Sequence, residues 1–127
     1  MDWIFPVAER WYELIDNGIK EVEGRVPDVS KPSKNYSNIK ALDIAVFYAV
    51  DENYKKIENL PEINFFIDYN RKYASVQEML DSEYLDRVLP GVNSVEEGIK
   101  IYHSFPGYKE RIKKNGIYAI GLKGRAF

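Results

Sequence analysis

The sequence predicts an α+β fold: a small mixed β-barrel of five or six short strands, with flanking helices covering its ends and one side. Three observations lead there. The chain has 127 residues, 45% of them hydrophobic and 14% aromatic, which suits one domain spanning 1–127 with a core of its own. Short β-prone apolar segments recur from residue 20 to the C-terminus. Between them lie two Ser-x-x-Glu helix-start signals, at Ser75 and Ser94.

The elements follow in order. Residues 7–17 read as an amphipathic helix, with Val7, Trp11, Leu14 and Ile15 on one face, Pro6 in a tolerant first turn and Asn17-Gly18 as the stop. Residues 20–26 alternate as a strand whose charged face carries Glu21, Glu23 and Arg25. Residues 27–38, rich in Pro, Ser, Lys and Asn, form a loop. Leu42 to Val50 is a core strand, Tyr54 to Glu58 a weaker pairing candidate, and Ile63 to Tyr73 a long strand. Ser75 with Glu78, and Ser94 with Glu97, cap two helices; the second runs to about His103 and buries Ile99 with Val95 or Tyr102. Pro106-Gly107 ends it, Tyr108 to Lys114 forms a short basic helix, and Ile117 to Leu122 closes the chain as a strand in the middle of the sheet.

Composition removes several classes of chemistry. Cys is absent, so disulfides, thiol catalysis and Cys-ligated zinc are excluded. A single histidine, His103, excludes a His-rich metal site, and no metal or other cofactor is expected. No apolar run approaches the ~20 residues of a membrane span, and no secretory signal is visible, so a cytoplasmic protein is expected. The overall charge of −2 is uneven: residues 99–127 carry net +6, a balance that suits phosphates or a solvated helix face.

The densest chemical cluster is Gly18-Ile19-Lys20-Glu21-Val22-Glu23-Gly24-Arg25. Glu23 and Arg25 share a strand face. Lys20 is a candidate base or electrostatic clamp, and Arg25 offers a fork for phosphate or carboxylate. An ordinary Glu–Arg pair on a solvated face is the competing reading.

This run, preceded by Trp-Tyr-Glu-Leu-Ile-Asp-Asn, resembles the Gly-x-Lys-x-x-Glu-x-Arg signature of the ASCH family. Residues 88–102 and 108–122 resemble the C-terminal half of its small archaeal members. Leu42-Asp43 stands where the family often has Gly-Asp. The resemblance implies a PUA-like barrel with a cleft lined by the first motif, and links the chain to RNA or modified nucleosides. It also implies an alternative, since some members are ribonucleases and others amidohydrolases acting on acetylcytidine. In the amidohydrolases a Thr nucleophile stands where this chain has Glu23, so hydrolysis would need Glu23 to activate water, or another nucleophile such as Ser104, with Glu78 or Glu83 as the downstream acid.

The expected function is therefore RNA or nucleoside binding, with hydrolysis as the alternative. Lys20 and Glu23 are the catalytic candidates; Arg25, Tyr102, Ser104, Lys113 and Lys114 are the ligand-binding ones. Tyr36, Tyr48, Tyr54, Tyr69 and Tyr73 are candidate stacking residues or core fillers, and Lys31 and Lys34 belong to a loop that could overlie the cleft.

Overall fold

A computed structural model describes all residues, 1–127. The elements are β1 (Asp2–Ala8), α1 (Glu9–Asp16), β2 (Val22–Arg25), β3 (Ile44–Val50), β4 (Ile63–Tyr73), α2 (Val76–Glu83), α3 (Leu85–Val88), α4 (Val95–Ser104), α5 (Tyr108–Asn115) and β5 (Ile117–Arg125). The five strands form one strongly curled half-barrel in the order β1-β3-β4-β5-β2. β1 runs parallel to β3, and every other pairing is antiparallel.

Local chemistry accounts for the curl. β4 shifts register at Phe66/Ile67 and again at Ile67/Tyr69, and such bulges bend a strand and increase its twist. Opposite the second shift stands Gly121, whose missing side chain makes room for Tyr69: a Cβ there would fall 2.1 Å from the ring. Trp3, Phe5 and Val7 alternate inward from β1 and pack with Phe47, Phe65 and Ile67. Phe5 and Phe47 are fully buried, each worth about 1.5–3 kcal/mol. A second apolar cluster, centred on Met79, Leu80, Val88, Tyr102 and Ile117, lies where the helices cover β2 and β5. Trp11 touches both clusters.

Both serine caps form: Ser75 Oγ accepts from Glu78 N at 3.1 Å and Ser94 Oγ from Glu97 N at 3.2 Å. Each is worth about 1 kcal/mol. The reciprocal carboxylates reach one residue beyond the cap, to the amides of Ala74 and Asn93.

Several expectations need correction. The helix starts at Glu9, and residues 2–8 are a strand; Pro6, expected in a first helical turn, lies inside that strand. A strand tolerates Pro at a sheet edge, and β1 is an edge. The face of α1 that is buried is Tyr12 and Ile15, with Trp11 and Leu14 flanking. The barrel is not closed by strand pairing, since β1 and β2 are opposite edges. β5 is an interior strand but not the central one, which is β4, and it runs on to Arg125. The 54–58 segment contributes one bridge, Lys56 to Val50. α3 was not anticipated, the 27–38 loop holds two single 3-10 turns, and Ile99 is half-buried while Gly98 and Tyr102 face inward.

Candidate functional site: a cleft floored by Lys20, Glu23 and Arg25

The motif residues have distinct local jobs. Gly18 adopts φ +76°, and the amides of Gly18 and Ile19 return to the carbonyls of Ile15 and Leu14. This is a Schellman ending, which needs a left-handed residue just past the helix. It turns the chain sharply enough to send Lys20 inward. The Glu21 amide then donates to the carbonyl of Arg87 at 3.0 Å, docking this segment against α3.

Lys20 is buried, its side chain 1% exposed. Nζ donates to the carbonyl of Val22 at 2.6 Å and to that of Val88, and lies 3.2 Å from Glu23 Oε1. An ammonium has three hydrogens, and here three acceptors face it. Glu23, 8% exposed, holds Arg25 with its other oxygen: Arg25 Nε donates to Oε2 at 2.9 Å and Nη2 lies 2.8 Å from it. Arg25 Nη2 also donates to the carbonyl of Pro6 at 2.6 Å. The cluster carries formal charge +1, held by side chains from one six-residue stretch.

Burial pulls the Lys20 ammonium below its ordinary pKa, opposed by the Glu23 carboxylate. Burial would raise Glu23, but Lys20 and Arg25 together hold it below the usual carboxylate range. Burial acts against the Arg25 charge, yet Glu23 prevails and raises its pKa. Glu23 is thus held as a carboxylate, and the solvated-face reading of the Glu–Arg pair is overturned.

Above this floor opens a cavity of about 420 Å³ between the β1 and β2 edges. Its walls include Trp11, Tyr102, Phe105 and Tyr108. The last three make an edge-to-face ladder, with centroids 6.0 Å apart for Tyr102–Phe105 and 5.3 Å for Phe105–Tyr108. Gly24 lets Tyr102 approach: a Cβ there would meet the hydroxyl at 2.5 Å. Burial lifts the Tyr102 phenol well above its ordinary pKa, so it stays neutral. Asp51, Glu52 and Tyr54 also line the cavity; Tyr54 is exposed and sits at φ +63°.

Of the candidates, Lys20, Glu23, Arg25 and Tyr102 meet in this cleft. Ser104, Lys113 and Lys114 do not line it: Ser104 Oγ is turned back to the carbonyl of Ile101 at 2.6 Å, and both lysines are exposed on α5. His103 is exposed outside it as well. Of the five candidate stacking tyrosines, Tyr36, Tyr48, Tyr54, Tyr69 and Tyr73, only Tyr54 reaches the cleft. Tyr36 packs on Phe5 and Trp3, Tyr48 lies near Lys56, and Tyr69 and Tyr73 both donate to Glu83 at 2.5 Å. Glu83 is fully buried away from the cleft, and Glu78 serves the α2 cap. The residues missed are Trp11, Phe105 and Tyr108; the three-residue spacing of Tyr102, Phe105 and Tyr108 was the available signal.

The crystal structure of the hypothetical protein PH0355 superposes with a TM-score of 0.76 at 36% identity, covering 98% of this chain and 99% of that one. The solution structure of protein PF0455 from Pyrococcus furiosus gives a TM-score of 0.69 at 33% identity over the whole of both chains. The chain belongs to the family of these two proteins. No family model and no curated protein matches it.

Proposed function

We propose that this chain is an ASCH domain of PUA-like fold whose cleft binds the base of a nucleoside or of RNA, without turnover. The Gly-x-Lys-x-x-Glu-x-Arg resemblance gains support because Gly18, Lys20, Glu23 and Arg25 each serve one site. Leu42 adds to it: the position where the family often has Gly lies at φ +72°, a conformation that favours glycine.

The observation that carries binding over hydrolysis is the Lys20 ammonium. Burial lowers its pKa, but three oxygens surround Nζ, and a neutral amine would have to turn its lone pair toward one of them, so the group is held as a donor rather than a base. Glu23, which would have to activate water, is held below the usual carboxylate range by Lys20 and Arg25 and is a weak base, and Ser104 lies outside the cavity. The cleft has the means to hold a planar polar ring. Its volume of about 420 Å³ suits a small ligand, and its walls are aromatic. Stacking contributes about 1–3 kcal/mol per base. Glu23 Oε2 is taken by Arg25, while Oε1 keeps one lone pair beside Lys20 for an exocyclic amine.

The test is a panel of modified nucleosides and short RNAs, followed by calorimetry for binding and mass spectrometry for turnover. Saturable binding with unchanged ligand mass is expected. Failure of every ligand to bind overturns the reading, and a ligand whose mass changes replaces it with hydrolysis.

A further inference from the structure

Arg25 and Tyr108 line a second cavity as well as the cleft. This chamber, of about 230 Å³, is also bordered by Lys31, Lys34, Arg111 and Asp28. Its chemistry is opposite to that of the aromatic cleft: four cations face one carboxylate. Asp28 is already engaged, its Oδ1 accepting from both the amide and the hydroxyl of Ser30 at 3.1 and 2.6 Å. Arg25 is paired with Glu23, which it shares with Lys20. Lys31, Lys34 and Arg111 form no ion pair with any carboxylate. Arg111 carries a sharper signal. Its guanidinium lies 5.2 Å from the Tyr108 ring centroid, and its Nε is buried with no acceptor. A buried donor without a partner is costly, and it marks a place where an acceptor from outside is missing.

Three unpaired cations and an orphaned guanidinium hydrogen around one small cavity match a tetrahedral oxyanion better than any neutral group. The loop carrying two of them is held without their side chains. Asp28 N bonds the carbonyl of Lys34, Lys31 N that of Asp28, and Lys34 N that of Lys31, all backbone to backbone. The lysine side chains make no hydrogen bond within the protein and are exposed.

We infer that the Lys31–Lys34–Arg111 chamber is a phosphate subsite, joined to the cleft through Arg25 and Tyr108, so that the ligand is a nucleoside phosphate with its ring in one chamber and its phosphate in the other. The inference rests on the nucleoside reading for the ring and on the chamber's own chemistry for the phosphate. A free nucleotide and a phosphate of an RNA chain present the same group.

The experiment separates the two chambers. Inorganic phosphate is titrated into the labelled protein and amide resonances are followed. Shifts confined to residues 28–36 and 107–112 are expected, and they should weaken at least about fivefold in Lys31→Ser/Lys34→Ser. Lys113→Ser/Lys114→Ser removes the same charge from the exposed face of α5 and should leave the titration as in the wild type. Each nucleoside that binds is then compared with its 5′- and 3′-monophosphate. A preference of about tenfold for a monophosphate, collapsing in the Lys31/Lys34 variant, supports the subsite. Competition by a short RNA assigns the phosphate to RNA, and its absence to a free nucleotide. If inorganic phosphate binds while no nucleoside does, the ring reading falls and the anion site stands. If nucleosides bind but phosphate moves no resonance, or if both lysine pairs weaken it equally, the subsite is overturned. Melting curves of both variants check that they are folded.

Discussion

Arg25 of β2 donates to the carbonyl of Pro6 in β1 at 2.6 Å, across the side of the half-barrel that no strand pairing closes. A residue's nitrogen and carbonyl leave a strand on the same side, so Pro6 points its missing N–H toward the unpaired edge, where no ladder bond is lost. One guanidinium thus spans the seam and anchors Glu23 at once. Arg25→Lys keeps the charge but cannot serve both acceptors with a planar fork. A loss of about 1–3 kcal/mol in denaturant unfolding is expected for it, and more for Arg25→Met, which leaves Glu23 Oε2 and the Pro6 carbonyl without their donor. Equal stability of Arg25→Met and wild type would show that the seam needs no bridge.

Glu23 is the only carboxylate that pairs with either Lys20 or Arg25. Glu23→Gln has nearly the same shape but leaves two buried or half-buried cations without a counter-charge. Breaking a buried pair from one side costs about 3–5 kcal/mol. Thermal melting should fall steeply for Glu23→Gln. Lys20→Met/Glu23→Gln should recover part of the loss, because the deepest unpaired charge is gone while Arg25 keeps Pro6. Failure of the double variant to recover would mean that the Val22 and Val88 carbonyls depend on Lys20 more than the charges do.

The parts of this fold that were legible are those encoded locally. Ser75 and Ser94 act on amides three residues away, the Asn17-Gly18 stop acts within one helical turn, and the β-prone run from Ile63 to Tyr73 is a strand along its whole length. The alternation that put Glu23 and Arg25 on one face was legible for the same reason. Their burial was not, because it comes from elsewhere: Val88 of α3 covers Lys20, Pro6 of β1 takes Arg25, and Trp11 and Tyr102 wall the cleft. β1 was hidden by Pro6, whose compatibility with an edge strand depends on which strands pair. The tyrosines illustrate the same limit: only cross-strand packing sends Tyr69 and Tyr73 to Glu83 while Tyr54 reaches the cleft.

Leu42 offers a stability gain away from the cleft. It sits at φ +72° and is two-thirds exposed, so it suffers backbone strain while burying little. A left-handed conformation costs an L-residue about 1–2 kcal/mol. Glycine removes that cost but adds about 0.5–1 kcal/mol of unfolded-chain entropy. Leu42→Gly should therefore be neutral to about 1 kcal/mol more stable in denaturant titration. Clear destabilisation would show that the Leu42 side chain contributes packing despite its exposure.

Acid sensitivity should follow from three carboxylates. Glu23 is desolvated but held down by Lys20 and Arg25. Glu83 is also desolvated, and hydrogen bonds from Tyr69 and Tyr73 with the charge of Arg71 hold it down. Asp43 is desolvated too, and is kept low by Lys40 N, Trp3 Nε1 and the N-terminal ammonium. All three have folded values below their unfolded ones, about 4.3 for Glu and 3.9 for Asp. Between the two values the unfolded chain binds more protons, so stability rises with pH there. The stabilisation is complete above the unfolded values and is lost as pH falls through the folded ones. Stability should thus show no contribution from these groups to its slope near neutrality and should drop below about pH 4.5. Glu83→Gln should lower stability at neutral pH and flatten the acid slope, because one of the three titrations is gone. A variant whose acid slope matches the wild type would show that the Tyr69–Glu83–Tyr73 cluster is not a source of it.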